Sequence, residues 1–328
     1  MIRVLLGFVL SLLLGVALMP FIIVITKRFK ANQPILGYVE SHAVKSGTPT
    51  MGGTGFLLAA AFPFAMLLRG DASTALICLI VALGYGVIGF ADDYLKIKGG
   101  HNKGLSAKWK LFLQFLVACL VSAYAFFASP IKGTLLLPFT AQTVDLSYFA
   151  PVYYVFIFLS FTNAVNLTDG LDGLAASVTN VFLLCFAAVL FIVAAFTPNE
   201  VQTNELLLIA CFCGALCGFL CFNRFPARIF MGDTGSLALG GMLASLSVLT
   251  GLSLSAAMIG IMYVVSALSV IIQVIVYKLT KKRVFLMSPL HHHFEKKGAH
   301  ENHIVAGYTA ATLVAGAGVI MLTLLFAV

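Results

Sequence analysis

Residues 4–26 read VLLGFVLSLLLGVALMPFIIVIT, 23 positions without a single charge. At a rise of about 1.5 Å per residue, such a helix outspans the roughly 30 Å hydrocarbon core of a bilayer. The run is too long for a signal-peptide core and shows no small-residue cleavage site, so it is expected to remain as a membrane helix. Working outward, apolar segments of the same kind recur at about 53–68, 74–91, 110–128, 148–165, 173–196, 206–222, 235–250, 253–277 and 304–327. The stretch from Gly235 to Tyr277 carries no charge and is too long for one crossing, so it is divided at Gly251. These segments predict an all-α integral membrane protein of about ten transmembrane helices, one polytopic domain over residues 1–328. No 20–50-residue repeat interrupts them. Pro130, Gly133 and Pro138 mark the outer segment 129–147 as irregular.

Composition makes the same demand. The 328 residues are 61% hydrophobic and only 10% charged, where a soluble domain carries about 25% charged residues. All seven cysteines lie in apolar segments, and the four from Cys211 to Cys221 have no charged or histidine residue among them. Packing is therefore a better account of these thiols than a metal site.

Ten crossings place both termini on one side, and charge decides which. The loops around 27–52, 92–110, 166–172, 223–233 and 278–303 hold 17 of the 20 Lys and Arg. The positive-inside rule puts those loops in the cytoplasm and both termini on the periplasmic or extracellular side. All seven histidines and eight of the twelve acids gather with them, which that rule alone does not require. The chemistry is expected on the cytoplasmic face.

Five motifs there carry functional groups. Asp92 and Asp93 stand together at the expected end of an apolar helix, where each charge costs up to about 3 kcal/mol toward the bilayer centre. Lys96 and Lys98 follow, so a merely structural ion pair is the alternative. In NAVNLTDGLDG, residues 163–173, a helix would bring Asn166, Asp169 and Asp172 to one face, with Gly170 and Gly173 permitting close approach of a ligand. The spacing excludes an EF-hand. In NRFPARIFMGDTGS, residues 223–236, Arg224 and Arg228 suit phosphate and Asp233 suits a hard cation, although the arginines are equally explained by the positive-inside rule. The run SPLHHHFE, residues 288–295, presents His291, His292 and His293; neighbours so close rarely converge on one zinc ion, and phosphate contact or shaping of a carboxylate site is the better account. Finally HAVKSGTPTMGG, residues 42–53, offers Lys45, Thr50 and adjacent glycines before a helix N-terminus, an anion-binding arrangement without the Gly-Lys-Ser/Thr ending of a nucleotide-hydrolysing loop. Carboxylates for a divalent cation, beside cationic groups at a lipid boundary, point to phosphoryl transfer with a lipid substrate.

These motifs, in order from about residue 20 to 301, resemble the polyprenyl-phosphate N-acetylhexosamine-1-phosphate transferases. Thr-Pro-Thr-Met-Gly-Gly (residues 48–53) and the triple histidine followed by Phe294 and Glu295 are the most specific. The resemblance implies a ten-helix fold, often dimeric, in the bacterial cytoplasmic (inner) membrane. It implies transfer of phospho-N-acetylmuramoyl-pentapeptide from UDP-N-acetylmuramoyl-pentapeptide to undecaprenyl phosphate, giving lipid I and UMP, with Mg²⁺ required. Carried onto this chain, Asp233 would be the principal magnesium ligand and Asp92–Asp93 the acidic pair at the lipid phosphate. Asn166, Asp169, Gly170, Asp172, Asn223 and Phe230 would line the uridine-diphosphate pocket. Lys45, Thr50 and His291–His293 would bind substrate or position phosphate. One departure is visible: after Glu301 the family continues with an Arg-Phe-Trp-like run, where this chain has Asn302 to Tyr308.

Two rivals frame the expectation. A sister enzyme using UDP-N-acetylglucosamine would keep the reaction and change the sugar. An ion-coupled transporter would carry its acids near the midplane, often within inverted repeats, whereas these clusters sit at one face. No nucleic-acid partner is expected.

Overall fold

The computed structural model describes residues 1–28, 47–99, 104–139, 142–196 and 203–326. Its helices are α1 (Ile2–Arg28), α2 (Gly53–Leu67), α3 (Ser73–Gly99), α4 (Ala107–Phe127), α5 (Ala150–Thr168), α6 (Leu174–Phe196), α7 (Thr203–Asn223), α8 (Gly232–Leu249), α9 (Ser253–Ile259), α10 (Ile261–Thr280), α11 (Leu290–Lys296) and α12 (Glu301–Phe326). Among the described residues, eight helical segments are long and apolar enough to cross a membrane. They cover α1, α3, α4, α5, α6, α7, α10 and α12. The remaining two expected segments are also helical, as the 15-residue α2 and as α8.

Helix α8 is the axis of the bundle. Every residue from Thr234 to Leu249 is buried. Its sequence, GDTGSLALGGMLASLSVL, is rich in Gly and Ser, because a helix surrounded by protein needs small residues for contact more than it needs hydropathy. A Cβ at Gly241 would lie 2.5 Å from Tyr85 Cδ2 of α3. A Cβ at Gly240 would lie 2.5 Å from Thr162 Cα of α5. On the far side of the bundle, α1 buries Gly7, Ser11, Gly15 and Met19 at four-residue intervals. That stripe packs on α7, where a Cβ at Gly218 would lie 2.9 Å from Leu12 O. The other faces of α1 expose leucines and valines, the surface a lipid-facing helix presents.

Three boundaries differ from expectation. Helix α3 runs to Gly99, so Asp92 and Asp93 lie within it and not at its end; the i,i+4 pair of Asp92 with Lys96 (2.6 Å) supports the added turns. The uncharged stretch breaks at Gly251 as expected, with φ +73°, and breaks again at Gly260 between α9 and α10. The stretch expected to be irregular contains a strand pair: β1 (Thr134–Leu136) pairs antiparallel with β2 (Thr143–Asp145). Leu136 N donates to Gly251 O (3.0 Å), tying this hairpin to the end of α8 opposite Asp233.

The α3–α8 seam generates a paired prediction. A Cβ at Gly89 would collide with the Asp233 carbonyl, whereas nothing lies within 4 Å of one at Gly84 of the same helix. Gly89→Val is expected to destabilise by about 1–3 kcal/mol or more. Gly84→Ala should be neutral or stabilise by about 0.5–1 kcal/mol. Thermal unfolding of the two variants in detergent checks both.

Candidate active site

At one end of the bundle, the C-terminal part of α3, the N-termini of α4 and α8 and the C-terminus of α5 converge. Helix α8 begins at Gly232, whose φ is +72° and whose Cβ, if present, would lie 2.5 Å from Asp93 Oδ2 and 2.7 Å from Thr50 Oγ1. The stretch before α2 pairs with the stretch before α8: Phe230 N donates to Pro49 O (2.8 Å), Gly52 N to Phe230 O (2.9 Å) and Gly53 N to Met231 O (3.0 Å). These bonds set Thr50 beside the start of α8. Phe230 is engaged there through its backbone.

Asp92, Asp93 and Asp233 each offer a carboxylate oxygen within 4.8 Å of the others. Their environments differ. Asp93 is 3% exposed and accepts from Asp233 N (3.2 Å), Thr234 N (2.9 Å) and Thr234 Oγ1 (2.7 Å). It thus caps α8 from a neighbouring helix, satisfying donors that a helix N-terminus leaves open. Asp92 accepts from Leu105 N (2.8 Å) and pairs with Lys96. Asp233 lies in the first turn of α8, where the helix dipole favours an anion. Its Oδ2 receives Lys96 Nζ (2.6 Å) and Lys110 Nζ (2.8 Å), and its Oδ1 receives Asn166 Nδ2 (2.6 Å). Asn166 also donates to Ser236 Oγ (2.8 Å).

Asn166, Asp169 and Asp172 do not share a helical face, contrary to expectation. Helix α5 ends at Thr168, and residues 169–173 form a turn closed at Gly173, whose φ is +75°. Asn166 therefore reaches the carboxylates, while Asp172 Oδ2 accepts from Ala227 N (2.9 Å) and its own N–H meets Glu301 Oε2 (3.3 Å). Burial, and after it the carboxylates of Asp233, Asp93 and Asp172, holds the Asp169 carboxyl well above the usual carboxylate range. Asn223 joins the two loops, accepting from Gly173 N (3.1 Å) and donating to Ile229 O (2.9 Å). Arg224 and Arg228 are exposed.

The three histidines occupy α11 and point to different partners. His291 is fully buried, and its Nε2 fills the space where a Gly170 Cβ would stand. Burial first, then the neighbouring His292, pulls its pKa down to about 3, so it is neutral at physiological pH. His292 Nδ1 donates to Glu295 Oε2 (2.8 Å), and His293 Nδ1 accepts from Leu286 N (3.1 Å). The motif therefore backs the 169–173 turn. Lys45 lies outside the described residues.

Sequence reasoning missed Lys110, which resembles any basic residue at the start of a membrane helix, and Glu301. Lys96 was visible only as an ion-pair partner four residues from Asp92.

The chain is similar to known proteins. A family model described as Glycosyl transferase family 4 matches residues 74–251, which includes Asp92, Asp93, Asn166 and Asp233. A phospho-N-acetylmuramoyl-pentapeptide-transferase of Thermoanaerobacter sp. (strain X514) is 44% identical over 314 residues, covering 94% of each chain. Proteins of the same description from Clostridium novyi (strain NT) and Staphylococcus aureus (strain bovine RF122 / ET3-1) are 40% and 39% identical, over 95% and 94% of this chain and 93% and 95% of theirs.

Two substitutions probe these contacts. In Asp93→Asn an amide NH₂ would face donors of residues 233 and 234, so a loss of about 1–3 kcal/mol is expected, read as a lower unfolding temperature in detergent. In Gly170→Ala the new methyl must displace His291 from the turn. Catalytic turnover should fall on the order of tenfold or more while the protein stays folded if this turn positions substrate, because small misplacements of such a loop are amplified in rate.

Proposed function

The chain belongs to glycosyl transferase family 4, and from this we propose that it joins a sugar phosphate to a membrane lipid. Its relatives are named for transfer of a phospho-N-acetylmuramoyl-pentapeptide. This chain makes the same transfer, from UDP-N-acetylmuramoyl-pentapeptide to undecaprenyl phosphate, with lipid I and UMP as products of a step in peptidoglycan synthesis. The observation that carries the proposal is the cluster of Asp92, Asp93 and Asp233 at one end of an apolar bundle, with Lys96 and Lys110 directed into it.

Three carboxylates so close, all hard oxygen donors, fit Mg²⁺. Asp233 would be the principal ligand with Asp92 beside it: Asp93 is committed to the backbone donors that start α8, whereas the partners of Asp233 are side chains that can turn from it to the diphosphate. Bound there, Mg²⁺ would neutralise charge on the diphosphate. The chain's own residues do the rest. Asp92 takes the proton of the acceptor phosphate, and the freed oxygen attacks the β-phosphorus of the UDP-sugar. The bond between that phosphorus and the UMP oxygen breaks, and its electron pair leaves with UMP. Lys96 and Lys110 offer their ammonium groups to the phosphoryl oxygens. Asn166, Asp169 and the loops joined by Asp172 and Asn223 hold the nucleotide. The commitments of Asp93 support Asp92 as the base.

The membrane arrangement belongs to the same proposal. All ten helical segments cross the bacterial inner membrane, α8 within the protein, and both termini lie on its outer side. The concentration of basic residues, histidines and acids on the opposite face supports a cytoplasmic site. Homodimer formation rests on the family resemblance alone.

Purified protein in detergent, given undecaprenyl phosphate, Mg²⁺ and UDP-N-acetylmuramoyl-pentapeptide, is expected to release UMP, and Asp233→Ala to lose at least about 10²-fold. Release with UDP-N-acetylglucosamine alone would move the chain to the sister reaction. A folded preparation that releases UMP from neither donor would refute the transferase reading.

A further inference from the structure

Helix α4 supplies Lys110 to one oxygen of Asp233, and α5 supplies Asn166 to the other. One turn deeper on each helix stand Gln114 and Asn163. Their amides meet directly, Asn163 Nδ2 donating to Gln114 Oε1 at 2.9 Å. Gln114 is 1% exposed, and its backbone oxygen accepts the Tyr85 hydroxyl of α3 at 3.0 Å. Tyr85 in turn packs against Gly241 of α8. The helices that deliver Asp92, Lys110, Asn166 and Asp233 are thus all tied at Gln114, below the carboxylates.

We propose that Gln114, through its amide bridge to Asn163, is a positioning residue that sets Lys110 and Asn166 on the two oxygens of Asp233. The bridge touches no reacting atom. It fixes the spacing of α4 and α5 one turn away, where small changes would carry both donors off Asp233. Helix packing by apolar contact alone would not need a buried amide here. Gln114 Nε2 finds no partner among the described residues, and such a group is costly to keep inside a membrane bundle. Its retention is accounted for by what Oε1 and the backbone oxygen hold in place. Asn163 is anchored too, since Nδ2 also donates to Leu159 O at 2.8 Å.

The inference rests on the transferase reading, and a reciprocal swap tests it. Gln114→Asn shortens the bridge and Asn163→Gln lengthens it, so each single variant breaks the contact, while the double variant restores its overall reach. Each single is expected to lower kcat on the order of 10- to 100-fold with both substrate KM values within about threefold. The double variant should recover to within about fivefold of the parent, well above the product of the single losses. Unfolding temperature in detergent is measured on the same samples. Losses that are simply multiplicative, or a Gln114→Leu variant with full kcat, would overturn the positioning role while leaving the transferase reading intact. Single variants that unfold earlier but keep full kcat per folded molecule would overturn it in the same way. A parent chain that releases no UMP would overturn both.

Discussion

Three carboxylates within 4.8 Å of one another repel strongly when water is scarce, and the rest of the architecture follows from tolerating that repulsion. Burying one charge unpaired costs several kcal/mol, so each carboxylate here meets a different form of compensation. Asp93 receives the backbone and side-chain donors at the start of α8. Asp233 sits in the first turn of that helix and meets two ammonium groups and an amide. Asp92 shares Lys96 and takes a backbone N–H from Leu105. The two lysines that supply this compensation are both directed at the same oxygen of Asp233.

Assembling it demands that helix termini meet closely. The segments come from α3, α4, α5 and α8, the last of them remote in the chain from α3, and small residues let their axes approach. Gly89 against Asp233, Gly53 against Gly235, and Gly240 and Gly241 against α5 and α3 are the points where a side chain has been removed to permit contact. Helix α8 is then enclosed by protein, and its composition changes accordingly: glycines and serines are interspersed among its leucines.

A second assembly flanks the charged cluster. The 169–173 turn is held from below by His291, from one side by Asn223 and from another by Glu301 through Asp172. The α11 histidines and the N-terminus of α12 are therefore parts of one frame with the turn beside the carboxylates. Movement of α12 would be felt at that turn through Glu301, and a neutral His291 can pack there without bringing another charge toward Asp169.

The sequence by itself determined the membrane character, the helical segments, the division at Gly251 and the motifs that carry chemistry. These are local properties: an uncharged run of about twenty residues or a doubled aspartate means the same wherever the chain goes. The sequence could not distinguish Asp92 from Asp93, although they are neighbours, because their difference lies in α8, about 140 residues later. It could not separate Lys110 from the other basic residues of the loops, since only contact with Asp233 sets that lysine apart. It placed Asn166, Asp169 and Asp172 on one helix by spacing, whereas tertiary contacts end α5 at Thr168 and send Asp172 to another loop. Periodicity reports what one segment can do alone. Which buried charge meets which donor is decided by other segments, and only the packed bundle brings them together.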